Sequence, residues 1–195
     1  MKNRILAMFA VLCVAVASCS AFSAPVIASQ AKDSVSAASQ QSNVLSARFL
    51  NMLNHNFVYG ADFEDAGVMA EKSVYPLLSS RQGDYISCTV ISSFVKDMYG
   101  VEITDMSALS EGYPEKSGYL YIVPCGFTSY EHKEANVVMN EDGSYTVTTS
   151  VTVQPHDGEA YKAVCTSLFV RNVSSSFGFN IISSDIIQSS NAHFA

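Results

Sequence analysis

Cys88 is the residue whose type and position come closest to chemistry. Ser87 is a natural N-cap for a helix that opens at Cys88. A thiol in a first helical turn has its pKa lowered by the helix dipole, which favours the nucleophilic thiolate. His132 lies further along the chain, just ahead of a strand, and is the available general base. The competing reading puts Cys88 on the buried face of its helix, as a small hydrophobe, and His132 in a surface loop.

The remaining candidates are weaker. Cys125 and His132 bracket an expected hairpin, but Pro124-Cys125-Gly126 offers no helix terminus to activate the thiol. Glu131-His132-Lys133-Glu134 reads as a solvated charged turn, because one histidine and two carboxylates there lack zinc-ligand spacing. His55, His156 and His193 are scattered, so no metal set is expected. Asn172-Val173-Ser174 matches a glycosylation sequon and is read as a turn. No phosphate-cradling glycine loop, calcium loop or Gly-x-Ser-x-Gly elbow occurs, and no cofactor is expected. Ten Tyr and eleven Phe, with no Trp, leave aromatic rings for a binding face. Tyr113, Tyr119, Tyr121, Tyr130 and Tyr161 gather around the first strand and its neighbours, and Tyr119, Tyr121 and Tyr161 are the ligand-binding candidates. The competing reading is a tyrosine-rich strand face that covers the helices.

The chain has 195 residues, 48% hydrophobic and 15% charged, with a formal net charge of -7. That length suits one domain, and the acidity leaves no surplus cation to neutralise a nucleic acid. Lys2 and Arg4 followed by the uncharged apolar run Ile5 to Ala17 read as a signal peptide, too short for a confident membrane span. Val16-Ala17-Ser18-Cys19 resembles a bacterial lipobox, which would place a lipid on Cys19. The other exit is cleavage after Ala21-Phe22-Ser23, with Ala24 first in the mature chain. Loss of Lys2 and Arg4, with no acid before Cys19, takes the net charge from -7 to -9. Cys88, Cys125 and Cys165 then remain, either as one disulfide plus a thiol or as three buried thiols.

Residues 20–43 hold 7 Ser, 6 Ala and 3 Gln and read as a flexible tether. From Val44 the period becomes helical: Leu45, Phe49, Met52, Leu53 and Phe57 share one face, and Gly60 is a stop. Asp62 is placed to cap a second helix over Phe63 to about Leu78, although Gly67 and Pro76 weaken it. A third runs from Ser87 to Gly100, with Val90, Ile91, Phe94, Val95 and Met98 as its stripe. Beyond a polar loop to Ser117 the period is two. Tyr119 to Val123, Ala135 to Met139, Tyr145 to Val153, Tyr161 to Arg171 and Phe177 to Gln188 are the expected strands. Asn140-Glu141-Asp142-Gly143 and Asn172 to Ser176 are turns between them. The expectation is an α+β domain over 44–188. Two or three N-terminal helices pack on a curved antiparallel sheet of four or five strands, and a tail follows at 189–195.

Cys88 to Ile187 resembles an uncharacterised domain of secreted proteins and lipoproteins of anaerobic bacteria. The shared features are Asp97-Met98-Tyr99-Gly100-Val101, Gly118-Tyr119-Leu120-Tyr121, Asp142-Gly143-Ser144-Tyr145-Thr146-Val147 and Ser176-Phe177-Gly178-Phe179. The resemblance implies a helix-on-curved-sheet build similar to the NTF2-like and cystatin-like folds, and it supplies no activity. A cysteine at a helix start with a histidine on a later sheet also resembles the NlpC/P60 cell-wall peptidases. The Asp-Cys-Ser-Gly context of that family reads Ser87-Cys88-Thr89-Val90 here, and the histidine lacks the usual following strand.

The expected protein is therefore exported to the cell envelope, anchored through Cys19 or secreted. It acts as a non-catalytic binding module for an envelope protein, a peptide or a small ligand, and meets the membrane only through its lipid. The alternative is a cell-wall cysteine peptidase or amidase using Cys88 and His132.

Overall fold

The structure, a computed structural model, describes residues 40, 42–104, 118–122 and 126–188. All of them belong to the unit Ser39–Ala195. The expected signal peptide and lipobox with Cys19, most of the tether, Tyr113, Cys125, His193 and the tail at 189–195 lie outside the described residues.

The architecture is α+β. Helix α1 covers residues 42–53, so the helix begins inside the stretch expected to be tether. Its apolar stripe of Leu45, Phe49, Met52 and Leu53 explains the early start, because the last three are fully buried. The helix stops at Leu53 rather than Gly60. The amides of His55 and Asn56 bond the carbonyls of Met52 and Leu53, which tightens the last turn. Phe57 is thereby released from the helical face assigned to it from the sequence.

The second helix differs from the expected Phe63 to Leu78. A 3-10 turn, Gly60–Glu64, leads to α2, Ala66–Lys72, and a second 3-10 turn, Tyr75–Ser80, follows. Asp65, not Asp62, is the cap: its carboxylate accepts from the amides of Gly67 and Val68. Asp62 pairs with Lys72 instead. Pro76 sits in the first turn of the second 3-10 segment, where its missing N–H costs nothing.

Strand β1, Tyr85–Ser87, runs directly into α3, Cys88–Tyr99. Gly100 ends α3 with φ 73, and its amide bonds the Lys96 carbonyl. A Cβ at Gly100 would lie 3.0 Å from Asn180 Oδ1, so glycine serves both the left-handed turn and the close approach. Strand β2, Tyr119–Tyr121, pairs antiparallel with β1 as a separate two-stranded sheet. Tyr119 and Tyr121 therefore do not join the main sheet.

The main sheet is an antiparallel meander of β3 (Ser129–Met139), β4 (Tyr145–Gln154), β5 (Tyr161–Arg171) and β6 (Phe179–Gln188). Val147, Val151 and Val153 of β4 are buried, as their alternation predicts, and Thr149 is buried on the same face. Register shifts occur between Lys133 and Asn136 in β3 and between Leu168 and Phe169 in β5. Such bulges bend and twist the strands that carry them.

The first bulge corrects a reading of the sequence. Glu131-His132-Lys133-Glu134 is not a turn. It lies within β3, and Glu134 takes φ 56 at the irregularity. Charged residues alternate there with His132, whose side chain points inward and is 3% exposed. The main core lies between the helices and the sheet, where Phe49, Met52, Leu53, Ile91, Val95 and Met98 meet Val147, Phe169 and Ile181.

Candidate functional site

The segment after α1 carries the residues that matter most. Asn56 is fully buried. Its Oδ1 accepts from the Val58 amide (3.1 Å) and the Tyr99 hydroxyl (2.9 Å), and its Nδ2 donates to the Val58 carbonyl (3.0 Å). This clamp holds residues 56–59 extended and ties them to α3. Tyr59 then reaches across to the sheet. Its hydroxyl donates to the Asn56 carbonyl (2.9 Å) and lies 3.1 Å from His132 Nε2.

Hydrogen-bond stoichiometry assigns the histidine tautomer. A carbonyl only accepts, so the single Tyr59 hydroxyl proton is committed to Asn56. His132 Nε2 must then carry its own proton and donate to Tyr59, leaving Nδ1 to accept from the Thr149 hydroxyl at 2.8 Å. Both ring nitrogens are satisfied by neutral partners. Burial lowers the His132 pKa to about 4, since nothing nearby compensates an imidazolium. The His132 amide, on the edge strand β3, donates to Asn54 Oδ1 at 2.9 Å, so that edge group is occupied within the chain.

The polar row continues over the inner face of the sheet. Thr149 also reaches the Cys165 thiol. Cys165 Sγ lies 3.4 Å from both Ser167 Oγ and Ser184 Oγ, and those hydroxyls are 2.6 Å apart. Burial pushes the Cys165 thiol pKa up, which keeps it neutral. Among the described residues no buried side-chain polar atom lacks a partner. The interior polar groups form a closed and satisfied chain.

Cys88 and His132 are not brought together. The two ring nitrogens of His132 belong to Tyr59 and Thr149, and Cys88 stands at the β1–α3 junction. Ser87 occupies the cap position without a side-chain cap bond, and the Cys88 amide is taken by the Gly118 carbonyl at 2.9 Å. The Cys88 residue is 4% exposed, and burial raises its thiol pKa. The helix terminus was expected to lower it; desolvation of the thiolate is the larger effect. Cys88 and Cys165 are both free and buried.

Tyr119 and Tyr121 line one short strand, where Tyr121 meets the Tyr85 ring edge-on at 5.4 Å. Tyr161 sits apart from them, at the start of β5, packed with Tyr59 and Tyr130 around Val151, Val153, Ala163 and Cys165. The three tyrosines chosen from the sequence are thus divided between two sheets. The Asn172 side chain serves its turn, as read from the sequence: Nδ2 donates to Asn180 Oδ1 and Oδ1 accepts from the Ser174 amide.

The surface feature that emerges is aromatic, and most of its members escaped the sequence reading. Phe57 contacts Tyr75 (5.5 Å between ring centroids), Phe127 (6.2 Å) and Tyr130 (5.8 Å). Tyr75 meets Phe127 at 5.0 Å, and Tyr130 meets Tyr59 at 4.6 Å. Phe127 is 41% exposed and the others are half-buried. Next to Phe127 in the chain, Gly126 lies against the His156 ring, where a Cβ would fall 1.5 Å from His156 Nδ1. Residues 56–59 alternate buried and half-buried, but Asn56-Phe57-Val58-Tyr59 shows no such alternation in residue type, so the sequence carries no local signal for this cluster.

Among the described residues no three His, Cys, Asp or Glu side chains gather as metal ligands, and no helix is long and apolar enough to cross a membrane. In comparisons with known proteins, no family model matches the chain, and no curated protein or solved structure matches it.

Proposed function

We propose that this is a non-catalytic binding module of the bacterial cell envelope, exported and held at the membrane by a lipid on Cys19. It takes an apolar or aromatic group of a protein, peptide or small ligand on Phe57, Tyr75, Phe127 and Tyr130. The supporting observation is the exposure of Phe127 on a frame of ring contacts. Aromatic rings held this way offer a large contact area at low entropic cost, which is why they are enriched at binding faces. The half-buried Tyr59 and the buried His132 and Cys165 support that frame from beneath, and the imidazole and thiol are closed off from solvent. The leader residues Lys2 and Arg4, the apolar run after them and Val16-Ala17-Ser18-Cys19 support the location.

The test places a photo-crosslinking benzoylphenylalanine at Phe127 in producing cells, with exposed Val138 of β3 as the control site. The expected result is an adduct of discrete mass from position 127 that weakens with Tyr75→Ala and is missing from position 138. Equal labelling at both sites, or none at 127, overturns the binding face. In the same cells Cys19→Ala is expected to abolish incorporation of labelled palmitate; unchanged incorporation overturns the anchor.

A further inference from the structure

A cavity of 370 Å³ opens at the other end of the main sheet. The register puts Tyr145 at this end and Val153 beside Tyr130 and Tyr161 at the other. The eight steps along β4 from Tyr145 to Val153 set the two features roughly 27 Å apart at ~3.4 Å per residue. The cavity is built by α1 (Leu45, Arg48), β4 (Tyr145), β5 (Arg171) and the β5–β6 hairpin (Val173, Gly178, Phe179).

Its electrostatics run against those of the chain. The protein is acidic, yet two of its four arginines line this one cavity, and among the described residues no carboxylate does. Among the described residues neither guanidinium makes a salt bridge. The nearest acids have partners of their own: Asp142, beside Glu141 in the β3–β4 turn, is engaged by the amide and hydroxyl of Ser144, and Asp97 of α3, at the β5–β6 hairpin, by the amide and hydroxyl of Ser176. Arg48 is also positioned. Its guanidinium lies 6.0 Å from the centroid of the Phe179 ring. Gly178, at φ 76, leaves room for it, because a Cβ there would sit 3.2 Å from Arg48 Nη1. Leu45, Tyr145 and Phe179 add apolar surface to the same lining, and Val173, also lining it, is 84% exposed.

We infer that this cavity is a binding site for an amphiphilic organic anion, whose carboxylate or phosphate is gripped by Arg48 and Arg171 while its apolar part lies on Leu45, Tyr145 and Phe179. Guanidinium forks match both anions, and an apolar floor selects ligands that carry hydrocarbon beside the charge. The site stands independently of the aromatic face and would survive its failure.

The full chain is titrated calorimetrically with hexyl phosphate, inorganic phosphate and hexanol. Hexyl phosphate is expected to saturate, with the other two at least about tenfold weaker. Arg171→Gln and Arg48→Gln are each expected to weaken hexyl phosphate at least about tenfold, whereas Arg81→Gln, with the same loss of charge elsewhere, leaves it unchanged. Thermal melts establish that each variant folds, and Arg171→Gln, on an exposed strand end, still reads the site if Arg48→Gln does not. Binding of inorganic phosphate or hexanol as tight as hexyl phosphate overturns the proposal. So does an equal loss in Arg81→Gln, or no saturation of hexyl phosphate by about 10 mM. Dihexanoyl phosphatidylglycerol distinguishes the sources of the anion: competition with hexyl phosphate assigns a lipid headgroup, and its failure to compete assigns a free organic anion.

Discussion

Phe49→Ala is expected to lower the unfolding free energy by about 3–5 kcal/mol, a large part of the 5–15 kcal/mol that a domain typically has. Phe49 is 0% exposed on the inner face of α1, and its ring meets those of Phe169 (4.4 Å), Phe179 (4.9 Å) and Tyr145 (5.5 Å). It is therefore the point at which α1 locks onto three strands at once. Truncation removes the transfer energy of the ring and leaves a cavity whose walls belong to a hydrogen-bonded sheet, which cannot collapse inward freely. The check is urea unfolding: the midpoint falls while the slope is unchanged. A loss below about 1 kcal/mol would mean that α1 is not seated as described.

The second large effect is a loss of stability in mild acid that belongs to one residue. In the folded protein the His132 pKa is lowered from 6.5 to about 4 by burial. The unfolded chain therefore binds this proton first as the pH falls. The contribution is fully present above 6.5 and is lost progressively as pH falls from there to about 4. At 1.36 kcal/mol per unit this amounts to about 3 kcal/mol. The check is the difference between wild type and His132→Gln across that window. The variant has no proton to take up, so its stability should fall with a shallower slope between pH 6.5 and 4. Parallel curves would show that His132 is protonated in the native state, contrary to a neutral ring that donates to Tyr59 and accepts from Thr149.

What the sequence allowed to be read, and what it did not, follows from the range of the interactions. The α+β class and β4 were legible because Val147, Val151 and Val153 alternate with threonine and serine, and one buried face imposes that period locally. The α3 boundaries were legible because Gly100 is a local stop signal. The end of α1 was not. Phe57 continues the helical spacing, and only the buried Asn56 clamp, which depends on Tyr99 in α3, releases it. His132 was misplaced for a related reason. A histidine flanked by Glu131 and Lys133 looks solvated until Tyr59 and Thr149, distant in sequence, supply partners for its two nitrogens. Cys88 looked activated because a helix terminus is visible in the sequence and the burial that outweighs it is not. The aromatic face joins Phe57, Tyr75 and the neighbouring Phe127 and Tyr130 from three separate segments, and no local pattern links the three.

In the proposed function the buried thiols and histidine are framework, and binding falls to the surface. Native-state thiol labelling tests this most directly, in a chain carrying Cys13→Ser, Cys19→Ser and Cys125→Ser, with a small aromatic disulfide at pH 8. The predicted result is that Cys88 and Cys165 react at least about a thousandfold more slowly than in the urea-unfolded chain, at a rate set by opening of the fold. Rapid native labelling of Cys88, with an apparent pKa below the ordinary thiol value of about 8.5, would contradict the account and return the cysteine-enzyme reading.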